Sequence, residues 1–446
     1  MEDMDVDTLE RIPRLEAEYV SQDDRFELKR QRYQGQQYSQ LYVFRLKQAR
    51  QYLLPLVKKR WPTLPVYNIL ALEEGRGCVV IGTLYKEMRL KPSVLDEYSK
   101  ERTVVPLVTP KSFTDPKDYL IIEDEGGRST LIGEGFSPAF YVTGVVVAVC
   151  GYAGKDGEFH VSEILEPGLA PQPPLPISDA QGESKYVALV SGLRVGGSDT
   201  NPLQVQLLVD HLTGHLGGGE EQRLSAQIVR CIIAGDSIQL QTSHLAGQPL
   251  SVKDQRKLSE PMRELDIVLT QLAAAMPVDI MPGPNDPANY SLPQQPLHKC
   301  LFPGAAAYST FVGATNPHQF ELDGVIFLGT SGQNIDDLDK YSEADDRLDY
   351  LERTLNWRHI APTAPDTLGC YPFPDRDPFL VEPSSPHVYF CGNQDKFSTK
   401  VLTGPNGQSV RLICLPRFAE TGIAVLVNLK TLKCQCLTLS TSLLAP

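Results

Sequence analysis

Four short stretches of the chain place polar side chains in loops directly behind apolar runs. They are Gly192-Leu193-Arg194, Gly235-Asp236, Gly283-Pro284-Asn285-Asp286 and Gly392-Asn393-Gln394-Asp395. Loops at the carboxyl ends of strands are where α/β proteins build their sites. The order of these four is that of a two-metal centre for phosphoester hydrolysis. Such a centre uses D-x-H, then GD, then GNH and an acid, then an isolated His, then GHxH, so that two cations clamp the attacking and leaving oxygens. The residues present are the wrong ones. Gly192 and Arg194 stand where a carboxylate and an imidazole belong, Pro284 and Asn285 replace an amide and an imidazole, and Asn393 and Asp395 replace two histidines. Asp236 alone keeps a ligating side chain of the expected type, with His359 in WRHIAP a candidate for the isolated His. A guanidinium at Arg194 repels a dication and should instead find a carboxylate within about 4 Å, Asp236 being the expected partner. No catalytic residue, metal or cofactor is therefore expected. GD and PG dipeptides are also ordinary turn chemistry, so a plain-loop reading stands beside the degenerate-site one.

Other chemistries find less support. There is no P-loop lysine motif, no G-x-G-x-x-G behind a strand and no G-x-S-x-G elbow. The glycines of GHLGGGEE (214–221) read as the end of a helix rather than the start of one. His211 and His215 share a helix face without an acidic partner at zinc-site spacing. Asp336, Asp337 and Asp339 lack the turn glycine of a calcium loop and read as a solvated acidic helix start. The nine cysteines form no CxxC pair. Cys434 and Cys436 fall on one face of a strand and read as core packing, and the set reads as free thiols of a reducing compartment. A net charge of −13 argues against a broad duplex-binding surface.

These loops need elements to hold them. Residues 1–40 read as an N-terminal tail and 41–65 as an amphipathic helix, with Tyr42, Leu46, Ala49 and Leu53 on its apolar side and its basic residues solvated. Residues 66–166 turn to β, in runs rich in Val, Ile and Tyr with Gly126-Gly127 and Asp156-Gly157 between them. That pattern suits a small OB-type barrel with a polar insertion behind its first strand. The Pro-dense stretch 167–185 reads as a linker or strap. From 186 to 446 strands alternate with helices near 202–216, 253–275 and 345–356, which suits a two-sheet sandwich flanked by helices, much of it antiparallel.

IIAGDSIQ (232–239), MPGPNDPANYSLPQQPLHKCLFP (281–303), GTSGQNIDDL (329–338) and RHIAPTAPDTLGCYPF (358–373) together resemble the B-subunit family of the replicative DNA polymerases, over roughly residue 35 to the C-terminus. The last two runs point to its delta branch rather than to alpha or epsilon. The resemblance implies an α+β two-domain chain: an OB-fold β-barrel followed by a calcineurin-like phosphoesterase α/β sandwich that is degenerate and inactive. Archaeal relatives keep the ligands; here their positions map to Gly192, Arg194, Asp236, Pro284, Asn285, Asn393 and Asp395. The implied role is a non-catalytic scaffold of DNA replication and repair in the nucleus. It bridges the cysteine-rich C-terminal module of the delta catalytic subunit to a third accessory subunit, can be shared with polymerase zeta, and has little direct DNA contact and no membrane role. Residues for those interfaces stay unassigned. Two other readings remain: an active metal-dependent phosphodiesterase or nuclease, and a single-strand-binding OB protein. Against the last, the barrel strands carry Glu123, Asp124, Glu125, Glu134 and Glu163 and few aromatics.

Overall fold

The computed structural model describes residues 12–29, 35–92, 110–176, 183–198, 200–239 and 252–441. The first eleven residues of the expected tail, residues 93–109 of the polar insertion and the middle of the Pro-rich stretch lie outside them. Helix α1 (Tyr38–Arg60) precedes a closed five-stranded barrel. Its strands are β2 (Gly77–Glu87), β3 (Tyr119–Glu123), β4 (Arg128–Ile132), β5 (Val146–Ala153) and β6 (Phe159–Leu165), in the order β2-β3-β4-β6-β5. Side chains alternate across a strand, so β2 sends Cys78, Val80 and Leu84 into the barrel, and Val79 and Ile81 outward beneath Leu46, Ala49, Leu53 and Val57 of α1. Both faces of β2 are thereby buried, which is why it reads as a continuous apolar run. Helix α1 departs from the sequence reading at one residue. Arg45, taken there as part of a solvated basic face, is 1% exposed and buried with the apolar side.

The remainder forms two six-stranded sheets. One runs β1-β11-β12-β13-β15-β14, from β1 (Tyr19–Ser21), β11 (His318–Leu322), β12 (Val325–Thr330), β13 (Val388–Gln394), β14 (Ser398–Thr403) and β15 (Ser409–Pro416). The other runs β10-β9-β8-β7-β16-β17, from β7 (Tyr186–Val190), β8 (Ile228–Ala234), β9 (Val278–Met281), β10 (Phe311–Gly313), β16 (Ile423–Asn428) and β17 (Cys434–Thr438). Leu189, Ile232 and Val425 of the second sheet meet Phe320, Phe327 and Phe390 of the first in a shared core. Helices α2 (Pro202–Thr213), α3 (Gly219–Gln227) and α4 (Val252–Ala275) serve the second sheet, with α2 and α4 burying Leu208, Leu212, Leu265 and Leu269 against its outer face. Helices α5 (Gln333–Tyr341) and α6 (Arg347–Asn356) bury Leu338 and Leu351 in a core continuous with the barrel.

Several local readings are corrected. The antiparallel pairing expected of this region is found in β1-β11-β12, β14-β15 and β7-β16-β17, while β7-β8-β9-β10 and β12-β13-β15 run parallel, with α-helices crossing over from β7 to β8, β8 to β9 and β12 to β13. Gly219 opens α3, so the glycine run joins two helices, and Glu221 caps the new one by accepting from Gly218 N–H at 2.9 Å. That acidic first turn is unsuited to phosphate. Asp337 is buried and accepts from Thr367 Oγ1 at 2.6 Å, while Asp336 and Asp339 pair with Arg347, so this is no solvated helix start. Cys436 is exposed on edge strand β17 rather than packed in a core, and Cys300 is exposed too. Residues 12–29 are no free tail. Tyr19–Ser21 pairs with β11, and Arg14 donates to the carbonyls of Leu212, Ser225 and Ile228 at 2.6–2.7 Å. The Pro-rich stretch packs on the first sheet, where Gln172 donates to Pro386 O at 2.7 Å. No helix among the described residues is long and apolar enough to cross a membrane.

Candidate functional site

The four polar loops converge where the carboxyl ends of the two sheets meet. The β7 and β8 loops are tied by Gly192 N–H to Gly235 O (3.0 Å), Arg194 N–H to Asp236 O (3.0 Å) and Val195 N–H to Ser237 O (2.9 Å). Across the sheets, Asn393 N–H donates to Ser191 Oγ at 3.0 Å, and its side-chain amide donates to Ser331 O at 2.8 Å. The approach is close enough to demand glycine. Gly235 has φ +76°, and a Cβ there would lie 2.5 Å from Ser331 Cβ and 2.9 Å from Gly283 Cα. Three non-glycine residues, Arg194, Asp236 and Asn393, also adopt left-handed backbone, with φ of 47°, 56° and 58°.

Side chains fill the space between these loops. Asp236 is 2% exposed, and Asn285 covers it: the Asn285 amide donates to both carboxylate oxygens at 3.0 Å and its backbone N–H to Oδ1 at 3.1 Å. Arg194 Nε lies 3.7 Å from Asp236 Oδ2, an ion pair without a hydrogen bond, while Nη1 donates to Glu420 at 2.9 Å. Arg417, 3.7 Å from Glu420, donates to Asp395 at 2.7 Å. The mouth is thus crossed by an alternating chain of charge, Asp395, Arg417, Glu420, Arg194, Asp236. Arg194 does pair with Asp236 as its charge requires, but Glu420 is the nearer partner.

The other expected positions divide. Asp286 turns inward and accepts from the backbone N–H groups of Ser237, Ile238 and Gly283 at 2.8–3.1 Å. Burial and the neighbouring Asp236 push its carboxyl up to about 7, against those three donors. Pro284 is exposed beside Asn285 and offers no ligating atom. His359 belongs to a different assembly. Its Nδ1 accepts from Ala361 N–H (3.2 Å), so Nε2 carries the proton and donates to Asp377 at 2.9 Å. Asp377 is also the ion-pair partner of Arg45, at 2.7 Å. Arg45 completes its fork on Gly144 O, Pro362 O and Ala364 O, at the junction of barrel and sandwich. Burial and the Arg45 charge push His359 down to about 4 despite Asp377.

Two-metal chemistry does not fit these residues. A dication at Asp236 would have to displace the Asn285 amide and sit beside a guanidinium. Among the described residues no group of three His, Cys, Asp or Glu side chains is placed to hold a metal ion. Five participants were not singled out by the sequence, although Gln294 and Gln333 lie in runs quoted above. Glu420 lies 226 positions from Arg194, Arg417 has no motif, and Gln294, Asn316 and Gln333 form a buried amide cluster around Ser331.

Comparison with known proteins matches the OB-fold domain of DNA polymerase delta subunits to residues 37–164, and the alpha/epsilon B-subunit family of DNA polymerases to residues 187–399. The chain is 57% identical to the DNA polymerase delta small subunit of Oryza sativa, over 97% of this chain and 99% of that one. It is 38% identical to DNA polymerase delta subunit 2 of Drosophila melanogaster, over 96% of this chain and 98% of that one. The chain belongs to the DNA polymerase delta small-subunit family. A more distant likeness, 25% identity over 65% of this chain and 48% of the relative, links it to the DNA polymerase II small subunit of Pyrococcus abyssi. Family membership makes the barrel an OB-fold domain and the chain one of the accessory rather than polymerising subunits.

Proposed function

We propose that the chain is a non-catalytic scaffold of DNA polymerase delta, acting in the nucleus in DNA replication and repair. Its OB domain (66–166) is strapped by 167–185 to a calcineurin-like phosphoesterase sandwich (186–446) that has lost its chemistry. The observation that carries this reading is the closure of the former site: Asn285 holds both oxygens of Asp236, and Arg194 lies beside it where a cation would bind. The partners are the cysteine-rich C-terminal module of the catalytic subunit and a third accessory subunit, with polymerase zeta a further holder of the same chain. A subunit that must stay assembled needs an interface of the obligate class, at or above about 2,000 Å².

Co-purification with the cysteine-rich module of a delta catalytic subunit tests the assembly role, and a failure to form a stable complex would sink it. Bound manganese and nuclease activity, with Asp236→Ala as control, test the loss of chemistry. Two equivalents of metal, with activity abolished by that substitution, would establish the hydrolase instead. Submicromolar single-strand binding with a steep salt slope would favour the nucleic-acid reading.

A further inference from the structure

A groove of about 470 Å³ runs between α1, the β2–β3 edge of the barrel and Asp366 of the sandwich. Its floor is apolar. Leu46 and Leu84 are buried beneath it, while Val43 stands 59% exposed on the same stripe of α1 as Ser39 and Leu46. Tyr42 and Tyr85 also line it. Four carboxylates edge the groove: Glu123, Asp124, Glu125 and Asp366. Three are satisfied within the chain. Arg50 pairs with Glu125, Lys91 lies 2.6 Å from Asp366, and Asp124 accepts the backbone N–H groups of Ile69, Gly126 and Gly127. Glu123 is different. Half-buried and opposite Thr83 on β2, it carries a carboxylate that accepts no hydrogen bond and forms no ion pair among the described residues.

We propose that this groove docks a peptide segment of a partner protein, one carrying an apolar anchor residue beside a Lys or Arg. The anchor covers Val43 and fills the floor, and the cation pairs with Glu123. The volume lies in the range that side-chain and ligand pockets occupy. Beside the carboxylates, the polar lining is limited to the hydroxyls of Ser39, Thr83, Thr143 and the two tyrosines, which favours an extended amphipathic partner over a small polar ligand. The acidic rim repels nucleic acid. The inference does not depend on which partner the chain assembles with, so its failure would leave the scaffold reading intact.

The test pans a random library of displayed peptides about 16 residues long against the full chain, with Val43→Arg as counter-selection. Enriched members, synthesised with a fluorescein label, are titrated by anisotropy. The expected binders carry Leu, Ile, Phe or Trp next to Lys or Arg. They weaken by about tenfold or more on Val43→Arg and on Glu123→Lys, and exchanging the peptide cation for Glu restores binding to Glu123→Lys. Both positions reach solvent, so melting temperatures should not change; Val43→Ser provides a second, milder variant of the floor. Peptides that bind wild type and Val43→Arg equally, the absence of any binder, or cationic peptides indifferent to Glu123→Lys would each overturn the proposal.

Discussion

Arg45→Met removes a buried cation while keeping most of its volume, and the surroundings set a large cost. The guanidinium is 1% exposed and donates to Asp377 Oδ2 and three carbonyls, with Pro362 and Ala364 in the sandwich and Gly144 in the barrel. Without it Asp377 remains buried, held only by His359 and by Phe379 N–H at 3.1 Å, and the carbonyls lose their donor. Breaking one side of such a pair costs about 3–5 kcal/mol, or roughly 10 °C in melting temperature for a cooperative unit of 150–250 residues. The contrasting control is Arg50→Met. Its pair with Glu125 is 25% and 49% exposed, so screening limits the loss to below about 1 kcal/mol. Urea unfolding followed by tryptophan fluorescence suits the question. One of the two tryptophans, Trp357, packs on Phe140 and Tyr141 in the same junction. Adding Asp377→Asn to Arg45→Met should recover part of the loss, because the unpaired buried charge is gone. A single-variant cost near that of Arg50→Met, or no recovery in the double variant, would refute the reasoning.

Two buried histidines predict opposite responses to pH. His359, held at about 4, lies below its unfolded value of about 6.5, so the stability it confers is present above pH 6.5 and drains away toward pH 4. His318 is disfavoured as a cation by burial, yet Asp23 at 2.7 Å and Asp279 at 3.5 Å, the latter paired with Arg230, raise it to about 9. Its contribution is therefore full below pH 6.5 and lost as pH rises toward 9. Urea midpoints from pH 5 to 9 should flatten on the alkaline side in His318→Gln and on the acid side in His359→Gln; curves parallel to wild type would contradict the assignments. Gly235→Ala should cost about 2 kcal/mol or more by thermal melting, because alanine meets both a left-handed φ and the Ser331 side chain; a cost under about 0.5 kcal/mol would show that the loops are not tightly apposed.

How much of this was legible depends on the range over which each signal acts. The barrel strands announce themselves by alternation and by glycine turns, both local. Strand β1 has three residues, and its pairing partner β11 lies about 300 positions away, so nothing near Tyr19 distinguishes it from a polar tail. Arg45 misled for a related reason. Its spacing from Leu41 and Ala49 puts it on the buried face, but its charge reads as solvated, and only the distant Asp377, Pro362 and Ala364 satisfy the guanidinium there. Gly235-Asp236 located a loop, whereas Gly392-Asn393, read as a loop, is the irregular carboxyl end of β13; Asn285 was legible from its motif, but Glu420 and Arg417 are recognisable only once the sheets bring them together.

The backbone frame of these loops is held separately from the side chains between them. A non-glycine residue in left-handed backbone costs about 1–2 kcal/mol, yet Arg194, Asp236 and Asn393 all keep it. The ladder Gly192–Gly235, Arg194–Asp236 and Val195–Ser237 fixes the first two loops on each other, and Asn393 is fixed by Ser191 and Ser331 from both sheets. Apart from the Asn393 side-chain amide on Ser331 O, these are backbone or small-hydroxyl bonds, and none involves the side chain of residue 194. The loops are therefore held by the sandwich and not by anything bound between them. Substitutions of the side chains at 194 or 285 therefore leave the bonds between the walls in place, whereas a side chain at Gly235, whose missing Cβ lets the walls meet, would push them apart.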